Sequence, residues 1–182
     1  MSIDALGQSL LTIARNAIGD RFGVAPRDVA PLARLDAPGA SFVTLTRHGA
    51  LRGCIGCLEA HRALAIDVAQ NALAAAFRDP RFAPLTPTEF PSTRIEVSLL
   101  AAAQPIEFTD EEDAIARLRP GVDGLILTHD AERATFLPQV WETLPDAHRF
   151  LAQLKQKAGL PADFWDARMQ LARYTVQKWK ES

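Results

Sequence analysis

Cysteine, tyrosine and methionine are scarce in this chain, at two, one and two residues among 182. The two cysteines, Cys54 and Cys57, are too few to staple a small secreted domain. At this length roughly 70% of the unfolded chain's surface is buried on folding, so no staple is needed. Charge of one sign is missing as well. Twenty Lys+Arg against 22 Asp+Glu leave a net charge of −2, which supplies no basic field for nucleic acid or an anionic membrane. No apolar run approaches the ~18 residues of a membrane-spanning helix. The opening MSIDALGQSLLTIARNAIG has internal charges and no cleavage site of a signal peptide. The motifs GxxxxGK[ST], GxGxxG, GxSxG and HExxH are absent, and with them the usual marks of nucleoside-triphosphate, dinucleotide, serine-hydrolase and zincin chemistry. What is present is ordinary globular composition, 48% hydrophobic and 23% charged, expected of one cytoplasmic α+β domain.

The pattern of apolar residues places the elements. Leu6, Leu10, Ile13, Ala14 and Ala17 form a helical stripe that exits at Gly19 and Gly23. Residues 24–40, with three prolines, read as a loop. Residues 41–46 and 51–55 form a hairpin around His48-Gly49, with Val43 and Leu45 alternating against Thr44 and Thr46. A helix over about 61–78 presents Leu64, Val68, Ala72 and Ala76, and Asp79-Pro80 ends it. Thr86-Pro87-Thr88-Glu89 and Thr109-Asp110-Glu111-Glu112 read as capping boxes, and Ile95, Val97 and Leu99 mark a strand. A second hairpin, 124–128 returning at 134–137, precedes a helix over about 146–158, and residues 169–179 read as one last strand. The two hairpin-helix units, about 41–79 and 124–159, align without a gap at an offset of 82. The expectation is a β-β-α-β unit used twice in mainly antiparallel sheet flanked by helices, one domain with two lobes.

Chemistry concentrates in Leu51-Arg52-Gly53-Cys54-Ile55-Gly56-Cys57. Glycines on both sides of a cysteine permit a positive-φ turn whose amides form an anion-binding nest. A thiol beside such amides and Arg52 would ionise more readily, with His48 or His61 nearby as a base. The structural alternative is a buried strand packed tightly beneath a helix, with Cys54 inert. A redox pair is disfavoured because Cys54-Ile55-Gly56-Cys57 ends a strand rather than opening a helix. Zinc on His48, Cys54, Cys57 and His61 is disfavoured by the spacing. Glu96 projects opposite Ile95 and Val97, Asp79 and Arg81 pair or cap a helix end, and His129 and His148 read as surface histidines.

The hexapeptide Leu51–Gly56 resembles the signature of the AMMECR domain family, whose prokaryotic members are protein A of the AmmeMemoRadiSam system. Asp79-Pro80-Arg81-Phe82 with Pro84-Leu85-Thr86, Glu96–Leu100, Leu137–Val140 and Lys157–Leu160 resemble its other blocks, over about residues 6–180. The resemblance implies a two-lobed α+β fold with an internal duplication, the hexapeptide in a cleft between lobes, and partners that are a Memo-like protein and a radical-SAM protein. It implies no particular cofactor, and Cys57 falls outside the signature. Two functions follow. In one, Cys54 is a nucleophile, Arg52, Gly53, Ile55 and Gly56 hold an anionic group, and Glu96 or His61 handles protons. In the other, Arg52 and the glycine turn belong to a non-catalytic binding or adaptor module for a ligand or partner protein. Neither requires a metal.

Overall fold

The computed structural model describes residues 4–182. In chain order its elements are α1 (Ala5–Asp20), α2 (Ala33–Asp36), β1 (Ala40–Arg47), β2 (Ala50–Gly56), α3 (Leu64–Phe77), β3 (Thr93–Leu100), β4 (Gln104–Pro105), α4 (Glu111–Ala116), β5 (Gly124–His129), β6 (Glu132–Phe136), α5 (Ala147–Lys157), β7 (Gln170–Tyr174) and β8 (Val176–Lys180). They form two compact units, one running up to Leu100 and completed by Gln177–Ser182, the other spanning Ala101–Val176.

In the first unit the strand order is β2-β1-β3-β8. Asp4 caps α1 by accepting the Gly7 amide at 2.7 Å, and the helix lays Leu10, Ala14 and Ile18 inward. Together with α3 it covers one sheet face, where Val43, Leu45, Ile95 and Val97 are fully buried. Inward positions on α3 are largely alanine, Ala72, Ala75 and Ala76, so the helix axis lies close to the strands. The opposite sheet face carries the alternate residues, among them Thr44, Cys54 and Glu96. His48 and Gly49 both have positive φ, 52° and 81°, the two-residue turn that matches strand twist.

In the second unit the order is β4-β7-β5-β6. Leu125, Leu127 and Leu171 pack beneath Phe150, Leu151 and Leu154 of α5, and Trp141 stacks on Phe150 at 3.7 Å. The two units thus repeat one arrangement. Order β2-β1-β3 with α3 between its second and third strands matches order β6-β5-β7 with α5. The gapless offset of 82 needs one correction. Thr46↔Leu51 corresponds to Thr128↔Arg133, but Val43↔Ile55 corresponds to Leu125↔Phe136, one residue out of step. A β-bulge in β2 opposite Leu45/Thr46 inserts the extra residue, Arg52.

Three further expectations are revised. The tail is two strands rather than one: β7 joins the second sheet, the chain breaks at Thr175, and β8 joins the first. The second capping box is shifted by one, with Asp110 as the cap accepting the Asp113 amide at 2.9 Å and Asp113 reaching back to the Thr109 amide. His129 is buried, its side chain 7% exposed, and packs edge-on against Phe164 with Asp130, Glu132 and Asp166 carboxylates 3.7–3.9 Å from its ring nitrogens. No described helix is long and apolar enough to cross a membrane.

Candidate functional site

The hexapeptide lies within β2, an edge strand of the first sheet. Its glycines do not make the expected turn: positive φ among glycines occurs at Gly23, Gly49, Gly121 and Gly159, not at Gly53 or Gly56, so no nest forms. Each is glycine for contact instead. A Cβ on Gly53 would lie 2.1 Å from the Ala75 carbonyl oxygen of α3, and one on Gly56 would lie 2.3 Å from the Phe42 ring and 2.5 Å from the Ser41 oxygen. Ile55, opposite Val43, packs against the helix-covered core.

Alternation puts Cys54 on the other face. It stands opposite Thr44, and Thr44 on its far side stands opposite Glu96. Thiol, hydroxyl and carboxylate therefore form one row across three strands. Neighbouring strands are about 4.8 Å apart, so the ends of the row are about 10 Å apart. The Cys54 Sγ and Thr44 Oγ1 hydrogen-bond at 3.3 Å. Because the amide and carbonyl of Cys54 point away from β1, Thr44 and Cys54 form the closer, non-hydrogen-bonded kind of pair, which brings their side chains together.

The outward backbone groups of Cys54 are satisfied by the Asp79-Pro80-Arg81 loop. The Cys54 amide donates to Asp79 Oδ2 at 2.9 Å, and its carbonyl accepts from Arg81 Nη2 at 3.2 Å. Asp79 and Arg81 also pair with each other, Nε to Oδ1 at 2.9 Å and Nη2 to Oδ2 at 2.7 Å, as expected for residues flanking Pro80. Asp79 is 4% exposed, and the Arg81 guanidinium, with the amides of Cys54 and Arg81, holds its carboxyl well below the usual carboxylate range against the opposing effect of burial. Arg52, from the bulge, is turned to Glu89 (3.1 and 3.0 Å) rather than to the thiol. Glu89 also accepts from Thr86 and Arg47, and chiefly the Arg52 contact brings its pKa down to about 2. The remaining guanidinium nitrogen, Nη1, is buried without a hydrogen-bond partner in a side chain that lies over the Phe82 ring.

The other candidates scatter. His61 is 67% exposed and pairs with Glu59 at 3.3 Å. Cys57 donates its thiol to Asp67 Oδ1 at 2.9 Å. Asp67 is a fully buried carboxylate on α3 that also accepts from Ser41, Asn71 and Arg62. Burial, then that carboxylate, pushes the Cys57 thiol up. Three residues of extended chain separate Cys54 from Cys57 by about 10 Å, beyond the reach of a disulfide, and both are free. Of the residues weighed for zinc, Cys54, Cys57 and His61 face different neighbours, and among the described residues no group of three or more His, Cys, Asp and Glu is placed to hold a metal ion. Thr44 is the site residue that the chain alone did not single out. The hairpin register held the signal, since pairing across His48-Gly49 brings Thr44 near Cys54 once the bulge is counted. Asp67 carried a fainter one, an acid among inward-facing residues with Asn71 one turn on.

Comparison with known proteins follows the same lines. A family model described as AMMECR1 matches residues 11–179. A protein of Methanothermobacter thermautotrophicus is 38% identical, the match covering 96% of this chain and 94% of that one. A protein of Saccharolobus solfataricus is 36% identical over 98% of this chain and 83% of its own. The crystal structure of an uncharacterized protein, PH0010, from Pyrococcus horikoshii superposes with a TM-score of 0.84 at 33% identity, covering 99% of this chain and 93% of that one.

Proposed function

Since the chain belongs to the AMMECR1 family, we propose that it is an enzyme, or the substrate-handling part of an enzyme assembly, working through the face of its first sheet that bears Cys54, with Cys54 as nucleophile. The observation that carries this reading is the Cys54–Thr44–Glu96 row. Thr44 is the positioning residue that holds the thiol, and Glu96, at the end of the row, handles the proton. In the step this supports, Sγ forms a bond to an electrophilic carbon of the substrate while its proton is taken up by Glu96 on the same face. The group displaced from that carbon leaves with the same proton. Asp79 and Arg81 fix the backbone under the nucleophile, and Arg52 braces the bulge through Glu89. His61 draws less support for proton transfer, because it is turned to Glu59.

The partners that fit this reading are a Memo-like protein and a radical-SAM protein, as in the AmmeMemoRadiSam system. A purely binding role for Arg52 and the glycines has less behind it. The Arg52 charge is taken by Glu89, and Gly53 is sealed against α3.

The test is the alkylation rate of each cysteine in the folded protein, followed by peptide mass spectrometry with iodoacetamide from about pH 5 to about pH 10. Cys54 is expected to label at least about tenfold faster than Cys57, whose thiol pKa is pushed up by burial and by Asp67. Silence of Cys54 until the protein is denatured would overturn the reading.

A further inference from the structure

Four carboxylates of the first unit that are not solvent-exposed have an arginine against them: Asp67 with Arg62, Asp79 with Arg81, Glu89 with Arg52, and Glu181 with Arg15. Glu96 is the exception. It is half-buried on β3, yet among the described residues its side chain meets no basic group. Two residues earlier on the same strand, Arg94 is exposed and its guanidinium has no carboxylate partner either. The unbroken register Thr46↔Arg94 and Thr44↔Glu96 puts both on the face that bears Thr44 and Cys54. Their Cα atoms are about 7 Å apart, two residues of extended strand. Two opposite charges thus share one face with no ion-pair contact between them.

We infer that this face binds a free α-amino acid, or a conjugate that keeps both its α-ammonium and its α-carboxylate. The ammonium sits on Glu96 and the carboxylate on the Arg94 fork, which is suited to two parallel hydrogen bonds. Thr44 and Thr46, opposite Glu96 and Arg94 on β1, border the ligand. The ligand's side chain runs along the row toward Cys54, about 10 Å from Glu96, which favours a long one. A carboxylate has about four lone-pair sites, so Glu96 can hold the ammonium and still accept a second hydrogen bond. The inference rests on the reading of this face as the working surface and names its substrate class.

The experiment is calorimetric titration of the full chain with L-methionine, L-glutamine, L-lysine and L-arginine, each beside its Nα-acetyl and carboxamide forms. At least one free amino acid is expected to bind, and blocking either end to weaken it about tenfold. Glu96→Gln should erase the difference between the free and Nα-acetyl forms, and Arg94→Gln the difference between the free acid and the amide. A variant that merely loosened the fold would weaken all three forms alike. Absence of binding by all four amino acids, equal binding of blocked and free forms, or variants without these selective effects would overturn the inference. The two readings fail separately. Rapid Cys54 labelling with no amino-acid binding removes the ligand class and leaves the nucleophile, whereas selective binding with a silent Cys54 removes the nucleophile and leaves the ligand.

Discussion

Gly53 and Cys54 are adjacent in one strand and answer to different constraints. Gly53 faces α3, where the obstacle to a side chain is the Ala75 carbonyl oxygen at 2.1 Å, backbone that cannot rotate away. Gly53→Ala is therefore expected to cost about 1–3 kcal/mol, read as a lower urea midpoint with unchanged slope. An unaltered midpoint would mean that the strand and helix separate freely. The sequence left two readings of these glycines, a nest or tight packing, because both need a missing side chain. What distinguishes them is the position of a carbonyl on another element, and that lies outside the hexapeptide. Cys54 was legible as a candidate from its neighbours in sequence, but its partner Thr44 was not, since their contact depends on register across a hairpin that contains a bulge.

At the scale of elements, β2 is an edge strand with outward backbone groups that need partners. The Asp79-Pro80-Arg81 loop supplies them at Cys54, and Glu89 holds the bulge through Arg52. Both carboxyls lie below their ordinary values, Glu89 at about 2 against 4.5. A depressed pKa means that the unfolded chain takes up protons first as pH falls. The stability these groups contribute is complete above the ordinary carboxylate range and is lost as pH drops through it, toward 2 for Glu89. Urea midpoints should fall over that window, and Glu89→Gln should flatten part of the fall. Equal slopes in both proteins would place the acid sensitivity elsewhere. The tail shows a different limit of sequence reading. Residues 169–179 look like one poor strand because β7 and β8 serve different sheets and neither has to alternate in phase with the other.

At the scale of the whole molecule, the two units share one strand order, and each has its own core. In the second, Phe150 is fully buried and stacked on Trp141. Phe150→Ala is expected to remove about 3–5 kcal/mol and to change Trp141 emission in the same titration. A loss under about 1 kcal/mol would show that the pocket collapses around the gap. The repeat departs from itself at Arg52, the bulge residue that has no counterpart in the second hairpin. The second unit keeps Thr135 where the first has Cys54, so the candidate chemistry belongs to the first alone.

Local pattern was enough to determine the α+β class, the two hairpin-helix units, the starts of α4 and α5 within a residue, the pairing of Asp79 with Arg81, and the segment that holds Cys54. These depend on periodicity, proline and short-range hydrogen bonding, all of which are written in neighbouring residues. Tertiary structure alone decided which face of β2 each residue occupies, that the glycines serve contact rather than a turn, that Arg52 belongs to Glu89, that His129 is buried, and that Cys54, Thr44 and Glu96 stand in one row. Each of these depends on how strands are registered and what packs over them, and a single inserted residue changes the answer.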